Sequence, residues 1–157
     1  MKHGLERHAS SALAPLRICW SLMLAASVAW AGLGLLASPA VSLSDTAIAT
    51  PLSLALAALG VFCAAATLWL DRTVLTPGRI AARLPIPDQA LARRHLLAGH
   101  LALWSLAVLP AILGFAQLLL DGPLAIHLAL CAVSLLILVL LMPTRARVAA
   151  RLAAALR

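Results

Sequence analysis

Apolar residues fall along this chain in four long runs, at 18–38, 48–70, 96–120 and 124–142. The Asp, Glu, Lys and Arg residues are confined to the stretches outside them. Each run has about the 20 residues an α-helix needs to cross a bilayer. At about 1.5 Å per residue the four measure roughly 28–38 Å, enough for a ~30 Å hydrocarbon layer with some tilt. Lipid offers a backbone no hydrogen-bond partner, so helices are the only open-ended structures that can span it. The pattern therefore predicts an all-α, four-helix integral membrane bundle forming one transmembrane domain over the whole chain.

The connectors sharpen this expectation. "PAVSLSDTA" and "DGP" are short and turn-rich, so spans one and two, and spans three and four, are expected as two antiparallel hairpins. Pro123 suits a first helical turn and Pro143 a helix end. Asp88 is placed to cap an extension of span three. Pro110 falls in the middle of span three, where it removes a backbone hydrogen bond and is expected to kink the helix. A neighbouring hydroxyl can re-satisfy the freed carbonyl.

Composition agrees with the pattern and charge adds direction. Of 157 residues, 64% are hydrophobic and only 11% charged, far from the ~25% charged of an average soluble domain. The net charge of +7 would suggest nucleic acid in a soluble protein. Here no nucleic-acid-binding pattern accompanies it, and it reads as topology. Lys2, Arg7 and Arg17 precede span one. Arg72, Arg79, Arg83, Arg93 and Arg94 lie in the loop 71–95. Arg145, Arg147, Arg151 and Arg157 lie in the tail 143–157. Together these are all 12 Lys and Arg residues. The positive-inside rule then places both termini and the central loop in the cytoplasm of a bacterial-type inner membrane. The alternative reading of span one is a secretory signal cleaved near "SPA" at 38–40, against which its apolar run is long.

Two basic phrases nearly repeat: "RIAARLP" at 79–85 and "RVAARLA" at 147–153. Spans one and three also share "WSL". The offsets disagree, 84 positions between Trp20 and Trp104 against 68 between Arg79 and Arg147. A shared duty explains the phrases more simply than a duplication. As a helix the tail is amphipathic and expected to lie at the interface, with Arg79, Arg83, Arg147 and Arg151 as membrane anchors on anionic headgroups.

Small residues recur on spans one to three, among them Ser21, Ala25 and Ala29, Gly60 and Ala64, and Ala107, Ala111 and Gly114. Such spacing lets helices approach closely. Span four is bulkier and is expected to face lipid. No acidic residue lies near the middle of a span, which argues against a proton-coupled pump. Buried Ser and Thr are expected to bond carbonyls of their own helices. Cys19, Cys63 and Cys131 form no C-x-x-C and are read as small apolar residues without a His partner. His127 likewise has no evident partner. His100 lies about one turn inside span three, and it is a weak candidate haem ligand.

"SLAVLPAILGFAQLL", at 105–119, is similar to the carboxylate helix of rotary ATP synthase proteolipid subunits. The position where that family carries its proton-binding Glu is Val108 here, so the function is not implied. The leading expectation is a small accessory or scaffold subunit, non-enzymatic and without cofactor or metal, packing against lipid, other membrane subunits or itself. The alternatives are a solute or lipid carrier with a cavity near Pro110 and Gln117, and a haem-binding electron-transfer subunit using His100.

Overall fold

The computed structural model describes residues 2–37, 51–73, 89–120 and 122–155. Among these the chain is helical apart from short turns. The elements are α1 (Lys2–Ala37), α2 (Pro51–Thr73), α3 (Gln89–Leu119), α4 (Leu124–Leu140) and α5 (Arg145–Ala155). Three of them are long and apolar enough to cross a membrane, over Leu13–Ala37, Pro51–Thr73 and Ala90–Leu119. The fourth, α4, has 17 residues, about 25 Å of rise. It stops at Leu140, short of the expected Met142, and the chain turns by 65° into α5. α1 begins well before residue 18, so the basic N-terminal segment continues the first apolar helix.

Named contacts fix the directions. Leu16 of α1 shares a groove with Arg93–Leu97 of α3, and Trp30 stacks near Phe115, ring centroids 5.2 Å apart. Both sequences rise together, so α1 and α3 run parallel. Gly60 of α2 faces Pro110, and Asp71 and His100 meet a common partner further along. α2 is thus antiparallel to α3. α4 is antiparallel as well, with Trp104 reaching Leu141 and Gly114 reaching His127.

The expected packing of spans one and two as a hairpin is corrected. Among the described residues α1 and α2 do not touch, whereas each packs on both α3 and α4. The α3–α4 pair is therefore the spine, with α1 and α2 on its two flanks. Small residues explain why α3 is central. Ala107, Ala111 and Gly114 are all buried, and their low profile admits neighbours on several sides.

The lipid-facing expectation for span four fits one face only, where Leu136, Val139 and Leu140 are exposed. α4 buries His127, Leu130, Cys131, Ser134, Ile137 and Leu138, a stripe of three- and four-residue steps that points inward. The more exposed apolar helices are α1 and α2, which leave Ile18, Leu22, Val28, Leu54, Phe62 and Trp69 open.

Pro110 does not interrupt α3, which runs unbroken from Gln89 to Leu119. Ser134 of α4 donates to the carbonyl of Ala107 at 2.7 Å. That carbonyl adjoins Leu106, whose i+4 donor Pro110 cannot supply. The carbonyls at the end of α4 have partners of their own. The Ile137 carbonyl accepts from Leu141 N–H and that of Val139 from Met142 N–H. Leu138 accepts from the Trp20 indole at 2.7 Å, Leu140 from Arg147 at 2.7 Å and Leu141 from the Trp104 indole at 3.4 Å. A helix end in apolar surroundings needs such partners, and three elements provide them. Thr144 then caps α5, its hydroxyl accepting from Arg147 N–H at 3.4 Å and its carbonyl from Val148 N–H.

Candidate functional site

Two polar clusters stand out inside this apolar frame. The first closes the basic end of the molecule. Asp71 ends the apolar run of α2, and α5 folds back across that end, burying Val148. Its next turn carries Arg151 inward. One Arg151 nitrogen donates to Asp71 Oδ1 at 2.8 Å, and the other lies 3.0 Å from His100 Nε2. His100 Nδ1 is 2.8 Å from the Leu96 carbonyl. The carbonyl can only accept, so Nδ1 carries the proton and Nε2 is the acceptor that Arg151 requires. Trp104 covers the imidazole at 5.3 Å between centroids.

This arrangement ties α2, α3 and α5 together through one guanidinium, whose planar fork can serve two acceptors at once. The Arg151 and Asp71 side chains keep 15% and 24% of their surface exposed. The pair is therefore shielded more than a surface ion pair but not cut off from solvent. Both nitrogens of His100 are engaged by protein. In the sequence His100 and Arg151 stand 51 positions apart, as a ligand candidate and a membrane anchor, and nothing in their spacing shows that they meet. The 65° turn after α4 produces that meeting, and Thr144 at the turn was the available signal.

The second cluster lies deeper. Ser134 of α4 spends its proton on the Ala107 carbonyl, so the hydroxyl of Ser27, 3.0 Å away, donates to it. Three helices are thereby stitched at one level. Ser27 and Ser134 depart from the expectation of bonding within their own helices, whereas Thr67 follows it, donating to the Cys63 carbonyl at 2.7 Å. About two turns before Ser134 on α4, His127 is fully buried. Its ring lies on Gly34, where a Cβ would collide with it, and beside Gly114, where a Cβ would come within 3.1 Å of Nδ1. Cys131 Sγ is 3.7 Å from His127 Nε2. The expectations that no Cys meets a His, and that His127 lacks a partner, are both corrected. The i, i+4 spacing of His127 and Cys131 was visible in the sequence.

His100 and His127 sit at different levels. His127 lies opposite Gly114, fourteen residues along α3 from His100 and so about 21 Å of helix away. Among the described residues no group of three or more His, Cys, Asp or Glu converges as a metal site would require. Near the far end Gln117 is fully buried. Its amide nitrogen is 3.5 Å from the Pro123 carbonyl, and its Oε1 has no hydrogen-bond partner among the described residues. Pro110 is packed, with Gly60 and Leu130 meeting beside it. Arg147 is exposed and folds onto the end of α4. Arg79 and Arg83 lie outside the described residues, as does Asp88.

These groups can hold helices in register and dock a terminal helix. No family model, curated protein or solved structure matches the chain, so its own residues carry the functional reading.

Proposed function

We propose that the chain is a four-span membrane protein, both termini cytoplasmic, that acts as a small accessory subunit by helix packing. The observation that carries this reading is where the small residues face. The stripe on α3 is consumed inside the molecule. Ser21, Ala25 and Ala29 on α1 keep the same four-residue spacing but are exposed, and at Gly32 an added Cβ would meet nothing within 4 Å. A groove-forming face turned outward suits close approach by a transmembrane helix of another subunit or a second copy. Polar side chains turned inward and large apolar ones outward support the membrane setting.

Two other readings have less support. A carrier would draw on Gln117 for solute contact, but Pro110 is filled by its neighbours. Haem ligation by His100 would need Arg151 or Leu96 to surrender its nitrogen.

The test is substitution of the outward face. Ala25→Leu with Ala29→Leu is expected to abolish co-purification of the partner, or of a second tagged copy, from native membranes. Leu136→Ala on the exposed face of α4 should leave it intact. Unchanged co-purification in the Leu variant, or a wild-type chain that extracts only as a monomer, would contradict the proposal.

A further inference from the structure

At the basic end a cavity of about 280 Å³ lies between α1 and α3. Its floor and walls are apolar, formed by Pro15, Leu16, Leu96 and Leu97, and its rim carries Arg93 and Arg94. Leu16 and Leu96 are almost wholly buried at its base. The two guanidiniums have neither a carboxylate nor a hydrogen-bond partner among the described residues, in contrast to Arg151, which has Asp71. Directly inward from the cavity, α1 presents Ile18 and Leu22, both more than 60% exposed. The order along α1 and α3 is thus cation pair, small apolar cavity, open apolar face.

We infer that this cavity is a binding site for an anionic glycerophospholipid of the leaflet at the basic end. The phosphodiester sits between Arg93 and Arg94, where forked donors match phosphate oxygens. The glycerol region enters the cavity, and an acyl chain leaves past Ile18 and Leu22, on the cavity side of Ala25 and Ala29, which the proposed partner helix covers. The volume suits a headgroup and glycerol rather than a whole lipid, which is why the open apolar face matters. A basic pocket between transmembrane helices at this level is the known form of such a site. A free phosphate would use the cation pair but leave Leu16, Leu97 and the face of Ile18 and Leu22 without a role.

The experiment is native mass spectrometry of the full chain, purified in detergent and supplied with phosphatidylglycerol, phosphatidylcholine or inorganic phosphate. Wild type is expected to retain one phosphatidylglycerol in preference to phosphatidylcholine, and phosphate should not displace it. Arg93→Gln with Arg94→Gln is expected to weaken retention by about 30-fold, while Arg145→Gln, an exposed basic residue away from the cavity, leaves it unchanged. Leu97→Trp fills the cavity and keeps both charges, so it must also lose the lipid. It carries the test if the double Gln variant fails to elute as a single folded species. Equal retention of both lipids, displacement by phosphate, or retention by Leu97→Trp would each overturn the site.

Discussion

Gly34 and Gly32 are two residues apart on one helix and make opposite demands. Gly34 lies under the His127 ring, whereas Gly32 opens onto free space. Gly34→Ala should therefore destabilise the protein by about 1–3 kcal/mol, the usual range for overpacking. Gly32→Ala should be neutral or stabilising by up to about 1 kcal/mol, because a helical Gly carries an entropic cost. Unfolding in mixed micelles measures both, and equal effects would mean His127 does not pack there. The Trp20 indole offers a second residue-scale test. Trp20→Phe keeps most of the ring but leaves the Leu138 carbonyl without its donor, an expected loss of about 1–3 kcal/mol. Little of this was legible in the sequence. Hydropathy separates apolar from polar positions, but a Trp capping a carbonyl and a Trp facing lipid look the same. His127 and Cys131 were readable from spacing alone, and the apolar background hid them.

At the scale of elements, the four apolar runs were legible because lipid-length hydrophobic segments have few alternatives. Their ends were less so. α4 stops at Leu140 because Pro143 follows and because Trp20, Trp104 and Arg147 take over its carbonyls. α5 was expected as an amphipathic helix resting on lipid headgroups. It forms a helix, but its Arg151 turns to Asp71 and His100, contacts set by the 65° turn, whose place Pro143 and Thr144 signal but whose direction no local pattern encodes. α5 is therefore held from two sides, by Val148 in the core and by the Arg151 pair. Asp71→Asn and Arg151→Gln are each expected to raise amide hydrogen exchange across α5 without changing that of α3. A double-mutant cycle should give a coupling of about 1 kcal/mol, the upper range for partly exposed pairs. Faster exchange throughout the molecule would place the pair in the global core instead.

For the whole molecule, the pairing of helices was the least legible feature. Short connectors suggested two side-by-side hairpins. The packing instead puts α3 and α4 at the centre with α1 and α2 apart, because Ala107, Ala111 and Gly114 make α3 the helix that others can approach most closely. Alternating directions of α1 to α4 agree with a basic end common to both termini and the 71–95 loop. Reporter fusions after Arg157 and within 38–50 should report opposite sides of the membrane, the C-terminal one cytoplasmic. The same reporter state at both sites would rule out the four-span topology. The central claim, that α1 turns a packing face toward another helix, is tested most directly by photo-crosslinking along α1 in native membranes. Adducts to a second protein chain are expected from positions 21, 25 and 29, weak ones from 23 and 27, and none from 136 on α4. Uniform labelling of lipid from every position would contradict it.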